Sequence, residues 1–483
     1  MDGTRVAIIQ DLVTHLTSTS DLYRVVMLSG VAGSGKSTIA KTVATILAEE
    51  ENTLAASFSF SRDHTDRREI NHLATTFARQ LAGYSPSCCA HLIEVLETDR
   101  TGIFDTEPWL QFQKLFVETL GKLPLGLKPW VICLDALDEC GEDHGQKFLR
   151  WLSDSIHQIP AHIRFFLTGR PEVPSYLGFD KLLNLTHQVV LDKVDPIIVQ
   201  HDIQLYVEQS LNGNNWITHY PWKIQTKQAE EITTLAKGLF VFAATAVRYV
   251  LAGIPQTPPQ ESVDDLLDGE VLTDLHDLYL RILNYAIPSA AAPRGRQAQR
   301  AHVRTMKILS TILLLLKPLD CQSLADLLEL DKSVVLGILH PLSAVIHVSD
   351  APGTTIRIIH LSFREFMISY VQVARPEILC GTDDQQRTLV FTLMKVLDTH
   401  LKFNICDLPT SYLQNSNMPD FQWRLDNYIP SHIRYAAQFW TDHLVETAYD
   451  LGAARRAKGV CRSPQSWRPL LMHVVSAATA TSQ

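Results

Sequence analysis

The chain has 483 residues, of which 46% are hydrophobic and 20% are charged, and its formal net charge is −9 at pH 7. This length and composition are typical of a globular protein with several domains, each able to bury a core. The acidic balance argues against general binding to nucleic acids or to anionic membranes, because both need a basic surface. We therefore expect neither as a partner.

The location suggested by the sequence is the cytoplasm. The eight cysteines are scattered without CxxC pairs, which favours a reduced chain. The first residues lack the pattern of a secretory signal. The apolar run at 308–319 is too short to span a bilayer, and the run at 238–254 contains Arg248. Both runs are better explained as buried helices.

Short apolar runs in the first part of the chain predict β-strands that are buried on both faces. Between two of these runs, residues 37–50 place Ile39, Val43 and Leu47 on one helical face. The alternation predicts an α/β domain with a parallel sheet and right-handed crossovers. The strands are predicted at residues 24–30, 54–60, 130–135, 163–168 and 188–192.

The segment GVAGSGKS, from Gly30 to Ser37, follows the first predicted strand and begins an amphipathic helix. It satisfies the P-loop pattern, in which glycines let backbone N–H groups converge on a phosphate at a helix N-terminus. Lys36 would neutralise the β- and γ-phosphates, and the Ser37 hydroxyl would hold Mg²⁺. The alternative is a glycine-rich turn without a ligand. The predicted nucleotide-binding residues of this segment are Gly30, Gly33, Gly35, Lys36, Ser37 and Thr38.

The segment WVICLDALDEC presents Asp135 at the end of the third predicted strand. Ligands bind at the carboxyl edge of open α/β sheets, so Asp135 is the predicted partner of Mg²⁺. Asp138 and Glu139 follow on the emerging loop, where one of them could orient a water molecule for attack on the γ-phosphate. We favour Asp138 as this catalytic residue, with Glu139 next. The alternative is that these acids cap the following helix.

The fourth predicted strand ends in the same way, because Thr168 and Arg170 follow the apolar segment IRFFL. At the tip of a neighbouring strand, these two side chains could contact the γ-phosphate and respond to its loss. The alternative for Arg170 is a surface ion pair with a nearby acid.

The remaining sequence is mostly helical in pattern, with a β-like pair of segments near residues 344–362 that gives the order of a winged helix. Proline-rich residues 254–262 mark a break, and residues 287–302 read as an exposed linker. The predicted organisation is an N-terminal extension at 1–20, a nucleotide-binding domain at 21–195, a helical domain at 196–286, a linker at 287–302, a winged helix at 303–375 and a helical C-terminal region at 376–483.

Taken together, GVAGSGKS, LDALDEC and FFLTGRP resemble the NACHT nucleotide-binding domain. The chain is most similar to fungal members of the nephrocystin-3-like N-terminal type, and the likeness extends from about residue 23 to residue 444. Later segments that contribute are IIHLSFREFM and YAAQFWTDHL. Relatives usually carry C-terminal repeats, and no repeat is evident in this sequence.

The resemblance implies a signal-transduction switch of the STAND class, acting in signalling of the innate-immunity or cell-death kind. ADP would keep such a protein closed, and exchange for ATP with Mg²⁺ would open it and allow self-association. Slow ATP hydrolysis and an unidentified protein effector are implied as well. By its match to the winged-helix histidine of relatives, His360 is expected to contact the β-phosphate of ADP. Phe240 stands where relatives often have proline, which leaves recognition of the base by that segment open.

Other functions compete with the switch. A P-loop kinase acting on a small molecule is one alternative, but such kinases are short and close an arginine-rich lid over the phosphates. An AAA-type ATPase motor is another, and it would need an arginine finger, for which Arg62 and Arg170 are candidates without a distinguishing mark. A winged helix that binds DNA is disfavoured because residues 317–349 contain few basic side chains.

Overall fold

The structure is a computed structural model, and it describes residues 3–19, 22–62, 65–98, 102–124, 126, 128–176, 178–213, 222–253, 257–267, 274–287, 296–351, 353–374, 382–409, 412, 418 and 420–447. The chain forms two compact units. The first comprises Met1–Val247 and Val263–Asp274, and the second comprises Arg248–Ser262 and Leu275–Gln483. No helix within the described ranges combines the length and the apolar character needed to cross a membrane.

A parallel sheet forms the centre of the first unit. Its strands lie in the order β2-β3-β4-β1-β5, and every neighbouring pair is parallel. The five predicted strands are therefore confirmed. Since the strands are parallel, the segments that follow β1, β3 and β4 all emerge at one edge of the sheet. The strands are β1 (Val25–Ser29), β2 (Leu54–Ser59), β3 (Trp130–Asp135), β4 (Ile163–Gly169) and β5 (Thr186–Val190).

Helices surround this sheet. Two of them, α11 (Phe240–Ala252) and α12 (Pro259–Leu267), contain residues of both units. A π-helical segment, Phe112–Val117, joins α6 to α7. The other helices of the first unit are α1 (Val6–Thr17), α2 (Lys36–Glu49), α3 (Thr65–Arg68), α4 (Leu73–Tyr84), α5 (Pro86–Thr98), α6 (Pro108–Gln111), α7 (Glu118–Gly121), α8 (Glu142–Ser155), α9 (Pro196–Asn212) and α10 (Thr226–Ala236).

The alternation of side chains along the strands produces a separate core on each face of the sheet. In β1, Val26 and Leu28 face α1 and α2, and the predicted face of α2 is buried against them. Val25 and Met27 point the other way, into a larger core formed by α4, the α6–α7 region and α8. Both faces are thus covered, which explains why the strands read as continuous apolar runs.

Two local features differ from the sequence reading. The predicted N-terminal extension contains α1, which buries Leu12 and Leu16 in the core on the α2 side of the sheet. The predicted helix at 236–250 is divided, because Lys237 and Gly238 adopt positive φ angles of 46° and 83°. Such angles end a helix, so α10 stops and α11 begins separately at Phe240.

The second unit consists of helices and a short antiparallel pair, β6 (Ile346–His347) and β7 (Arg357–Ile358). Identification of this region as a winged helix stays a prediction. Of the predicted linker, residues 288–295 lie outside the described residues, and 296–302 belong to a helix. The helices are α13 (Leu275–Ala286), α14 (Arg296–Leu314), α15 (Cys321–Leu328), α16 (Lys332–Leu339), α17 (Leu361–Phe366), α18 (Gln372–Ala374), α19 (Thr382–His400), α20 (Phe421–Tyr428) and α21 (Ser431–Val445).

A buried polar network joins helices of the second unit. His443 is fully buried, and its Nε2 lies 2.6 Å from the hydroxyl of Tyr435, which accepts from the Leu316 amide at 2.9 Å. The Gln386 amide donates to Nδ1 of His443 at 3.1 Å. With the amide oriented in this way, Nδ1 is an acceptor, so the network fits the neutral imidazole. Burial lowers the pKa of His443 to about 4.

We expect this histidine to make the second unit sensitive to acid. Its pKa is lower in the folded state than in the unfolded chain, so the unfolded chain takes up the proton first. The contribution of neutral His443 to the free energy of unfolding is complete above about pH 6.5. It is lost as the pH falls toward 4, by about 3 kcal/mol in total. Urea unfolding should show that the free energy of unfolding falls between pH 7 and pH 5 by about 2 kcal/mol more in the wild type than in H443Q. H340Q, at an exposed histidine of the same unit, should behave like the wild type; equal pH slopes in the wild type and H443Q would contradict the prediction.

Candidate functional site

The loop between β1 and α2 has a backbone that only glycine accommodates well. Gly33 and Gly35 have φ angles of 83° and 98°, in the left-handed region. At Gly30, an added Cβ would lie 2.8 Å from Ser34 Oγ and 3.0 Å from Leu191 Cβ. The three glycines of the predicted phosphate loop are therefore required by the conformation itself.

Hydrogen bonds from three directions fix the shape of this loop. Within it, Ser34 Oγ donates to the Val31 carbonyl at 2.9 Å. The Val31 amide donates to the carboxylate of Asp192, just after β5, at 3.2 Å. The Val241 amide at the start of α11 donates to the Gly33 carbonyl at 3.1 Å. Sequence reasoning ended a strand at Asp192 but assigned it no role, although its position after a strand was the available signal.

Lys36 is the first residue of α2, and its side chain folds back over the loop. Its Nζ donates to the Gly30 carbonyl at 2.7 Å and to the Val31 carbonyl at 3.0 Å. Burial lowers the pKa of Lys36; the carboxylates of Asp138, Asp192 and Asp135 oppose this effect, and Arg170 adds to it. The ammonium group therefore lies within the electrostatic influence of charged side chains at the ends of β3, β4 and β5. Ser37 and Thr38 follow in the first turn of α2 and are exposed.

Two hydroxyl groups orient the carboxylate of Asp135 at the end of β3. Thr168 Oγ1, on β4, donates to Oδ1 at 2.5 Å, and Ser59 Oγ, on β2, donates to Oδ2 at 3.2 Å. The Ala136 amide donates to Thr168 Oγ1 at 2.9 Å, and Ala136 has a φ of 60°. Thr168 is fully buried, so this arrangement is fixed by the sheet. The predicted residues Asp135 and Thr168 thus lie in direct contact.

Arg170 and Asp138 form an ion pair, with 3.1 Å between Nε and Oδ2. Their side chains are 26% and 11% exposed, so the pair is partly shielded from solvent. Arg62 donates to the Asp138 carbonyl at 2.8 Å, and Glu139 lies on the same turn, with its amide donating to the Ala136 carbonyl at 2.9 Å. The ion pair considered for Arg170 is therefore present, and its partner is Asp138, the residue favoured to orient the attacking water.

A residue that the sequence reading passed over also lies beside the loop. Arg5, just before α1, is 6% exposed, and its amide donates to Asp202 at 3.1 Å. Its guanidinium carbon is 5.0 Å from the centre of the Phe240 ring, which is the distance of a cation–π contact. Phe240 in turn lies 4.0 Å from the Cβ position of Gly35. Proximity in the fold, rather than any local motif, brings Arg5 here.

His360 belongs to the second unit. Its Nδ1 accepts from the Ser362 amide at 3.1 Å, and this hydrogen bond caps the start of α17. The same Nδ1 lies 2.6 Å from Ser362 Oγ. Ser362 Oγ also lies 2.8 Å from the Tyr279 hydroxyl. The local role of His360 is therefore helix capping, and the nucleotide contact expected of it stays a prediction.

The residues at the carboxyl edge of the sheet fit a polyphosphate with a divalent cation. The loop, the N-terminus of α2 and the Lys36 ammonium supply the positive potential that binds phosphate. The Ser37 hydroxyl and the Asp135 carboxylate are oxygen ligands of the kind that Mg²⁺ prefers. Because Asp135 is already held by two hydroxyl groups, its orientation does not depend on the ion. The loop follows the first strand of a parallel sheet and begins a helix, which is the context that the P-loop pattern requires.

Comparison with protein families gives a match to the family described as Nephrocystin 3, N-terminal, over residues 3–170. These residues include α1, the loop and all the strands that carry the site except β5. No curated protein matches the chain.

Several solved structures show weak similarity to the chain. The Walker-type ATPase PABY2304 of Pyrococcus abyssi is 14% identical, with a TM-score of 0.35, over 75% of this chain and 95% of that one. Cdc6p from Pyrobaculum aerophilum is 12% identical, with a TM-score of 0.37, over 76% and 93%. The Aeropyrum pernix ORC1 protein, solved in complex with DNA, is 14% identical, with a TM-score of 0.34, over 77% and 94%.

Proposed function

We propose that the chain is an ATP/ADP-dependent signal-transduction switch of the NACHT and STAND type. The observation that carries the proposal is that Lys36 Nζ folds over the phosphate loop. Beside it, β3 and β4 end in two contacting pairs, Asp135 with Thr168 and Asp138 with Arg170. The match of residues 3–170 to the nephrocystin-3 N-terminal family supports it. The organisation into the domains predicted from the sequence, with a winged helix at 303–375, belongs to the same proposal.

Each residue of the site has a role in this proposal. The amides of Gly33, Gly35 and the first turn of α2 bind the phosphates, and Lys36 neutralises their charge. Ser37 and Asp135 hold Mg²⁺, which would shield the charge of the β- and γ-phosphates when bound. Gly30 allows the close approach of the loop, and Thr38 completes the turn.

Hydrolysis is slow in the proposed cycle, because Asp138 is held in an ion pair with Arg170. Asp138, or Glu139 beside it, orients the attacking water. Asp138 is held by Arg170 at 3.1 Å, so it becomes available only when that ion pair opens. Thr168 and Arg170 then report the presence of the γ-phosphate.

The second unit reads the nucleotide state in the proposal. His360 contacts the β-phosphate of ADP, and ATP favours self-association and engagement of an unidentified protein effector in the cytoplasm. Neither nucleic acid nor membrane is a proposed partner. A P-loop kinase or an AAA-type motor is the alternative function for the same loop.

The test is to identify the nucleotide that the purified protein carries when none has been added. We expect ADP, released on denaturation at about one per chain, and slow single-turnover hydrolysis of added ATP. An empty site with rapid phosphate transfer to a small acceptor would favour the kinase. Rapid, continuous turnover by a preformed ring would favour the motor. Either result would overturn the proposed switch.

A further inference from the structure

A cluster of side chains with potential metal ligands lies away from the phosphate loop, where α1 meets β5. Asp11 and His15 are one helical turn apart on α1, and His187 is on β5, the edge strand of the sheet. Asp11 Oδ2 is 3.1 Å from His187 Nε2, and Asp11 Oδ1 is 3.6 Å from His15 Nε2. The ligand atoms of all three residues lie within 4.8 Å of one another.

These separations are close to those of a tetrahedral metal site. Bonds of about 2.0–2.1 Å to zinc place neighbouring ligand atoms about 3.3 Å apart. The Asp11 contacts already bracket that spacing, and all the ligand atoms lie within 4.8 Å of one another, so the two rings would tilt toward a bound ion to complete the site. Two imidazoles and one carboxylate also form a known type of three-ligand zinc set, in which water takes the remaining position.

The two imidazole rings lie face to face beside Asp11. The His15 and His187 rings stack at 3.8 Å with an interplanar angle of 29°, and the Tyr23 ring lies 5.5 Å from that of His187. An exposed pair of histidine and aspartate contributes less than about 1 kcal/mol, and a second imidazole adds little to it. A cation shared by all three groups uses both imidazoles. The side chains of Asp11, His15 and His187 are 46%, 26% and 24% exposed, so an ion can reach them.

We propose that Asp11, His15 and His187 form a site for a divalent transition metal of the zinc type, which fastens α1 to the edge strand of the sheet. Imidazole ligands favour Zn²⁺, Ni²⁺ or Cu²⁺ over Mg²⁺, so the site differs in chemistry from the nucleotide site. It also differs in place. His187 pairs with Val26, early in β1, whereas the phosphate loop follows Ser29, about 10 Å further along the strand.

The test measures Zn²⁺ binding to the full chain after removal of metal and nucleotide. We expect calorimetry to show one tight site in the wild type, with at least tenfold weaker binding in each of D11N, H15Q and H187Q. H201Q and H157Q replace exposed histidines elsewhere in the first unit and serve as matched controls, with unchanged binding. Co²⁺ should give the intense visible absorption of a four-coordinate site in the wild type and lose it in H187Q.

A thermal measurement separates loss of the site from loss of the fold. D11N, H15Q and H187Q should melt like the wild type without metal, and Zn²⁺ should raise the melting temperature of the wild type and of the controls alone. The proposal is overturned if Zn²⁺ binds equally to the wild type and to all three variants, or if the control substitutions weaken binding as much. It is also overturned if the wild type binds no Zn²⁺. None of these results bears on ATP binding, which the proposed function predicts independently.

Discussion

Replacement of Lys36 by alanine is expected to weaken the binding of ADP and ATP by about a hundredfold or more. The ammonium group sits over the loop and would meet two phosphate groups, and each charge-assisted hydrogen bond contributes about 1.5–3 kcal/mol. A loss of about 3 kcal/mol corresponds to a factor of more than a hundred in affinity. Fluorescent-nucleotide titration or calorimetry measures this change directly.

Lys41→Ala is the matched control, since Lys41 is an exposed residue on the same helix. It should bind nucleotide like the wild type. Lys36 also holds the loop through the Gly30 and Val31 carbonyls, so the melting temperature of K36A must be measured beside its affinity. A folded K36A protein that binds ATP normally would show that this lysine does not contact the nucleotide.

Asp135→Asn is expected to weaken the binding of ATP with Mg²⁺ much more than the binding of ADP. The amide keeps the size of the carboxylate between Thr168 and Ser59 but removes the charge that attracts Mg²⁺. Affinity for ATP with Mg²⁺ should fall by about tenfold to a hundredfold, equivalent to about 1.4–2.8 kcal/mol. Affinity for ADP measured with EDTA should change by less than about threefold, because Lys36 and the loop amides remain.

The control for this substitution is Asp154→Asn, at an exposed aspartate of the same unit that pairs with Lys181. It should leave both affinities unchanged. If D135N lost as much affinity for ADP, measured with EDTA, as for ATP, measured with Mg²⁺, Asp135 would be shown to support the loop rather than the ion.

Local sequence signals were sufficient for the sheet and for most of the site. The strands are buried on both faces, so their apolar runs were unbroken, and the residues after β1, β3 and β4 had to emerge at one edge. The glycine spacing identified the loop because positive φ angles at Gly33 and Gly35 demand glycine. Asp135 and Thr168 could be placed at this edge because each stands at the carboxyl end of a parallel strand. The direct hydrogen bond between them could not be predicted.

Contacts between distant segments were beyond the reach of sequence patterns. Asp192 meets the Val31 amide, and Arg5 meets Phe240, across large separations in the chain. His187 meets Asp11 in the same way, and its segment carries no metal-ligand spacing of its own. The division of the predicted helix depends on two successive left-handed residues, Lys237 and Gly238, a local signal that the apolar pattern on both sides obscured.

The ion pair between Arg170 and Asp138 would let the proposed switch control its own rate of ATP hydrolysis. A guanidinium binds a phosphate at least as well as it binds a carboxylate, so a terminal phosphate competes with Asp138 for Arg170. In the proposed cycle ADP leaves the ion pair closed, whereas the γ-phosphate of ATP competes for Arg170 and allows the Asp138 carboxylate to be released. Hydrolysis therefore becomes possible only after ATP has bound, and its low rate, which sets the lifetime of the ATP-bound form, reflects how rarely the ion pair opens.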